Sequence, residues 1–230
     1  MPALYVIATP IGNLEDITLR ALRILREVTL IAAEDTRTTR RLLNAYDIQT
    51  PLTSYHEHSK RAKLEHLLDH VENADLALVS EAGMPGLSDP GYKLIIGAIE
   101  RGIHVVPVPG PSAVITSVVV SGLPTDQFVY LGFLPRRQGQ RQRLLSSLAD
   151  ERRTLVAFET PHRLGEALGD IQETLGDRRL SVCRELTKVH EEVFRSSVSE
   201  AREHFTEPRG EMTLVIEGMT RAWRKSQKRS

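Results

Sequence analysis

Cysteine occurs once in the 230 residues, at Cys183, which excludes a disulfide framework and a cysteine-built metal cluster. No run approaches the roughly 20 apolar residues that would cross a bilayer. The first residues, Met1-Pro2-Ala3-Leu4-Tyr5-Val6, lack the basic region and cleavage site of a secretory leader. Net charge is zero, 30 basic residues against 30 acidic, which argues against indiscriminate nucleic-acid binding but not against a local basic surface. A cytoplasmic protein without membrane association is expected. Common chemical signatures are missing too: no G-x-G-x-x-G follows the first apolar run, and no G-x-x-x-x-G-K-[ST] occurs. The absence of H-E-x-x-H, C-x-x-C and G-x-S-x-G removes structural zinc and a nucleophile elbow, and no metal is expected.

What is present is the composition of an ordinary globular chain, 40% hydrophobic and 26% charged, long enough for one large domain or two small ones. Short apolar runs alternate with amphipathic stretches, the pattern of an α/β fold with mainly parallel strands. Leu4–Ala8, Leu30–Ala33, Leu76–Val79 and Ile103–Pro107 read as strands. Asp16 is the expected cap of a helix bearing Leu22, Leu25 and Val28, and Leu64, Leu67, Leu68 and Val71 define another helix face. After Pro109-Gly110-Pro111 the character shifts to a small-residue helix, then strands at Phe128–Leu131, Thr154–Phe158, Leu180–Cys183 and Met212–Ile216. The expected organisation is an N-terminal αβ domain over 1–110, a second over 111–218, and a basic tail over 219–230.

Four loops follow predicted strands: Ala8–Leu14, Ser80–Gly91, Val108–Ala113 and Phe158–Arg163. Each is rich in glycine, proline or small polar residues, which let backbone close on a ligand. In an open α/β sheet the ends of strands are where ligands sit.

Taken in order, Ala8 to Asn13, Ala32-Ala33-Glu34-Asp35-Thr36-Arg37, Ser80 to Gly91, Pro109 to Ala113, Arg184-Glu185-Leu186-Thr187-Lys188 and Gly210 to Gly218 resemble the tetrapyrrole-methylase superfamily. Within it they resemble the ribosomal RNA small-subunit methyltransferase I branch, whose members methylate the ribose 2′-oxygen of a cytidine in 16S rRNA. The resemblance implies two αβ lobes with S-adenosylmethionine in the cleft between them, and commonly a homodimer. It implies donor contacts at Pro10, Gly83, Met84, Leu87, Ser112, Ala113, Phe158, Leu186, Met212 and Thr213. Glu81 stands where the branch usually carries aspartate. Many members continue into a small helical extension, whereas this chain ends in Arg221–Ser230. If that extension helps hold the ribosomal substrate, this chain must use its own basic surface or bind more weakly.

Methylating a hydroxyl needs in-line positioning, which supplies about 7–11 kcal/mol in favourable cases, and help with proton loss. Glu34, Asp35, Arg37, His56, Asp89, Glu185 and Lys188 are candidates, with Glu34 and Asp35 favoured as adjacent carboxylates at a strand end. The alternative is that this pair caps the helix beginning near Thr36. His56 and His58 read more readily as surface loop residues, and His162 with Arg163 as steadying the fourth loop in place of touching substrate. For RNA, Arg37, Arg40, Arg41, Arg136, Arg137, Arg141 and Arg143 are the expected phosphate contacts, with Tyr55 as a stacking surface and a basic tail of Arg221, Arg224, Lys225, Lys228 and Arg229. The competing readings are a small-molecule tetrapyrrole (precorrin-type) methylase, which needs no basic clusters, and a non-catalytic RNA-binding protein, which needs no donor loops.

Overall fold

Short apolar runs separated by turn residues each condense into one strand or one helix turn-set. The computed structural model describes residues 1–56 and 59–220. They fall into two compact units, one spanning Met1–Ser112 and one beginning at Ala113. The tail cations from Arg221 onward, and His58, lie outside the described residues.

The first unit runs β1 (Ala3–Ile7), α1 (Leu19–Glu27), β2 (Leu30–Ala33), α2 (Thr36–Ala45), β3 (Leu52–Ser54), α3 (Arg61–Asn73), β4 (Leu76–Val79), α4 (Tyr92–Glu100) and β5 (His104–Val108). Its sheet is wholly parallel in the order β3-β2-β4-β1-β5. Period-two alternation sends Ile7, Ile31, Ala33, Ala77 and Val79 to the face covered by α1 and α2. Leu4, Val6, Ala32, Leu76 and Leu78 point to the other face, under α3 and α4. With both faces covered the central strands are apolar throughout, as parallel sheets require. Pro107, which cannot donate to a ladder, sits on the edge strand β5. The cap of α1 is Thr18, whose hydroxyl accepts from Ala21 N at 3.0 Å, not Asp16. A 3-10 turn over Leu14–Asp16 intervenes and takes up the expected cap residue.

The second unit runs α5 (Ala113–Val120), β6 (Phe128–Phe133), α6 (Gln138–Ser147), β7 (Thr154–Glu159), α7 (Pro161–Leu175), β8 (Arg179–Arg184), β9 (Glu192–Ser197), α8 (Val198–His204) and β10 (Met212–Ile216). Its order is β6-β7-β10-β8-β9, and only β6 and β7 pair parallel. The expectation of mainly parallel strands holds for the first sheet and fails for this one. Seven residues link β8 to β9, too few for the crossover a parallel pair needs. One face of this sheet carries Leu155, Ala157, Met212, Leu214 and Ile216 against α6, α7 and α8. The other carries Val156 and Val215 against α5.

Candidate functional site

In the first sheet β1 and β4 are neighbours, yet the helices that follow them pack on opposite faces. Their outgoing loops part at the carboxyl end, the place where open α/β sheets hold ligands. The two loops are tied at one point. Thr9 N donates to Gly83 O at 2.9 Å, and Gly83 N donates to Thr9 O at 3.0 Å. The buried Ser80 hydroxyl lies 3.2 Å from Ala82 O and 3.3 Å from Gly83 O. Gly83 adopts φ 74°, a region that residues with a Cβ enter only under strain. On the other side of β1, a Cβ at Gly110 would lie 3.0 Å from the Ala8 Cβ, so the Pro109–Pro111 turn closes on the first loop only because it has none. Pro10 and Met84 are half-buried beside this junction, and Leu87 is exposed on the loop. Pro10, Gly83, Met84 and Leu87 thus lie within a few residues of one backbone junction, beside which the Ile11 side chain packs against Gly83.

The two adjacent carboxylates part company. Asp35 caps α2, accepting from Arg37 N at 2.7 Å and from the Arg37 guanidinium at 2.8 and 3.3 Å. Hydrogen bonds from the Arg37 side chain and backbone pull its pKa down to about 2. Glu34 turns toward the Ser80–Gly91 loop, where Oε2 accepts from Glu81 N at 3.2 Å. Burial raises its pKa, the Glu81 and Asp35 carboxylates add to that, and the Glu81 N–H and His56 oppose it. Thr38 reaches Glu81 Oε1 at 3.5 Å, linking α2 to the same loop. Asp35 is thus the cap of α2, whereas Glu34 faces the Ser80–Gly91 loop with its pKa raised by burial.

In the second unit Phe158 and Thr213 are register partners on β7 and β10, and so share a sheet face. Phe158 also meets Tyr130 and Phe133, each at a centroid distance of 5.4 Å. Met212, one residue before Thr213, points the opposite way into the helix-covered core at 3% exposure. Its expected side-chain contact with a donor is corrected on that ground. Leu186 is buried in the loop after β8, and Ser112 and Ala113 lead into α5. In that β8 loop the Glu185 carboxylate accepts from Lys188 Nζ and from Glu211 N, both at 2.9 Å. His162 Nε2 lies 3.4 Å from Thr160 Oγ1.

Arg40, Arg41, Arg136, Arg137 and Arg143 are exposed, as is Arg37 despite its pairing with Asp35. Arg141 is not: its side chain is 1% exposed and bonds Asp170 at 2.6 Å. It cannot reach a phosphate, and the sequence assignment is corrected. Tyr55 is buried among Leu67, Leu68 and Leu78, which removes it as a stacking surface. Conversely, α1 packs on the same sheet face as α2 and exposes Arg20, Arg23 and Arg26, of which Arg23 pairs with Glu27 at 2.6 Å and Arg26 donates to Tyr46 O at 2.9 Å. Their three-residue spacing was the available signal, diluted by the apolar residues between them. Among the described residues no helix is long and apolar enough to cross a membrane.

Comparison with known proteins gives a consistent result. The profile of the family described as Tetrapyrrole (Corrin/Porphyrin) Methylases matches residues 3–202. A Thermotoga maritima protein named Ribosomal RNA small subunit methyltransferase I is 51% identical over 221 residues, 95% of this chain and 99% of its own. Its namesake from Halalkalibacterium halodurans is 50% identical over 218 residues, 94% of this chain and 75% of its own. Among solved structures, uroporphyrin-III-C-methyltransferase from Thermus thermophilus superposes with a TM-score of 0.66 at 18% identity, covering 98% of both chains. A diphthine synthase gives 0.68 at 13% identity, covering 94% of this chain and 90% of its own. At such identities these two speak for the fold alone.

Proposed function

This chain belongs to the tetrapyrrole (corrin/porphyrin) methylase family, and from that membership we propose that it 2′-O-methylates the ribose of a cytidine in 16S ribosomal RNA, using S-adenosylmethionine. The observation that carries the substrate is the 51% identity to a small-subunit rRNA methyltransferase over nearly the whole of both chains. The tetrapyrrole substrate has the family's description and a fold likeness at 18% identity behind it, whereas the relatives at about 50% identity carry the rRNA methyltransferase name, so it is set aside. The setting is the cytoplasm and the working form a homodimer.

The donor, when bound, supplies an electrophilic methyl group. Pro10, Gly83, Met84 and Leu87 would hold it in the first unit, and Ser112, Ala113, Phe158, Leu186 and Thr213 would contribute further contacts. The support for the first set is the backbone junction at Thr9 and Gly83, which fixes the two loops against each other. Glu34 accepts the proton of the ribose hydroxyl. A half-buried carboxylate with a raised pKa is a better base than a free one, and such help is worth roughly a hundredfold or more. Asp35 serves by anchoring α2, which carries Arg37, Arg40 and Arg41 toward the RNA. Arg136, Arg137 and Arg143 take further phosphates. Incubation with labelled S-adenosylmethionine and either small ribosomal subunits or a precorrin tests the reading. Label in rRNA supports it, and label confined to the tetrapyrrole overturns it.

A further inference from the structure

The segment between β6 and α6 holds two exposed arginines, Arg136 and Arg137, without an ion-pair partner among the described residues. Isolated surface arginines sample many rotamers, and ordering them costs entropy when a ligand binds. Here the backbone that carries them is held from behind. Leu134 O accepts from Arg163 Nη2 at 2.6 Å. Pro135 O and Arg136 O accept from Arg141 Nη1 at 3.3 and 3.4 Å. Leu134 N donates to Phe158 O at 3.3 Å. Three successive carbonyls are thus bound by guanidinium groups from α6 and α7.

Those two guanidiniums are themselves locked. Arg141 donates to Asp170, and that carboxylate also accepts from Gln138 and Gln142 at 3.2 and 3.0 Å. Both members of the pair are almost fully buried. Arg163 lies 2.8 Å from the fully buried Glu159. A buried ion pair adds little net stability compared with apolar packing, so its presence beneath an exposed cationic turn calls for a role in specifying geometry.

We propose that Leu134–Arg137 is a preformed phosphate hook, in which Arg136 and Arg137 contact the rRNA backbone and the buried Arg141–Asp170 and Arg163–Glu159 pairs are positioning residues. This rests on the reading of the chain as an rRNA methyltransferase. The ligand chemistry is a polyanionic sugar-phosphate strand. The cations that the sequence presents as one cluster therefore divide into contacts and supports.

The test is binding of small-subunit rRNA by the full chain across a salt series, with S-adenosylmethionine affinity measured alongside. R136A/R137A should lower the slope of log K against log salt by about 1.4–1.8, two phosphate contacts' worth. R141M/D170L removes both buried charges together, so no lone charge remains to unfold the chain. It should also flatten the slope while leaving donor affinity unchanged, and should add nothing when combined with R136A/R137A. Should that pair fail to fold, R141K keeps the buried charge but has one nitrogen in place of the guanidinium fork, so it cannot hold Asp170 and the two carbonyls at once, and the same flattening is expected. An unchanged slope in the positioning variants, or losses that add to those of R136A/R137A, overturns the hook alone. Absence of salt-dependent rRNA binding by the unaltered protein overturns both the hook and the functional reading.

Discussion

Thr9 and Gly83 exchange both backbone hydrogen bonds, joining the loops after β1 and β4 by a single two-residue bridge. Everything proposed for the donor site hangs on that bridge, because it sets how close the two loops lie. Gly83→Ala places a Cβ on a residue at φ 74°, which costs roughly 1–2 kcal/mol of backbone strain. The expected outcome is about tenfold weaker S-adenosylmethionine binding by calorimetry, with the fold retained. Unchanged affinity would remove Gly83 from the donor site.

Glu34 and Asp35 should respond oppositely to neutralisation. The folded pKa of Glu34 lies above its ordinary 4.5, so its stabilising protonated form is populated at low pH and lost as pH rises through the raised value. Glu34→Gln should therefore stabilise the protein slightly at pH 7 and not at pH 4, by less than about 1 kcal/mol for a half-exposed group. Methyl transfer should fall about a hundredfold or more. Asp35 is depressed from 3.8 to about 2, so its contribution is present above 3.8 and is lost as pH falls toward 2. Asp35→Asn should destabilise at pH 7, with the difference shrinking through that window. Thermal melts at several pH values, paired with turnover, check both.

Phe158 and Met212 separate a surface role from a core role. Met212→Leu conserves volume in a packed core, so it should cost under about 1.5 kcal/mol and leave donor affinity unaltered. Phe158→Ala should weaken the donor about tenfold through loss of an aromatic wall. Equal effects of the two on donor binding would contradict the assignment of the sheet faces.

Arg178 is fully buried and donates to the carbonyls of Leu175, Glu217 and Ala149. Arg178→Met leaves those acceptors unpaired in the interior. A loss of about 3 kcal/mol or more is expected in denaturant unfolding. A change below 1 kcal/mol, roughly that of an ordinary surface substitution, would deny the residue its role.

Much of this was legible in the sequence. Short apolar runs located every central strand, and the glycine- and proline-rich loops marked the strand ends where the candidate site lies. Two kinds of feature escaped. Strands such as β9, Glu192–Ser197, are polar and lie at a sheet edge, so they carry little periodic signal. The fate of individual charged residues also escaped, because burial depends on partners distant in the chain. Arg141 meets Asp170 across 29 residues, and nothing in the arginine-rich run distinguishes it from exposed Arg143. The separation of Glu34 from Asp35 had the same origin, since Glu81 lies 47 residues from Glu34.

The most direct test of the account is nucleoside mass spectrometry of rRNA from small ribosomal subunits lacking this modification, after incubation with the protein and S-adenosylmethionine. The account predicts new 2′-O-methylcytidine, strongly reduced with Glu34→Gln and with Gly83→Ala. Methylation of a base in place of a ribose, or full activity in both variants, would contradict it.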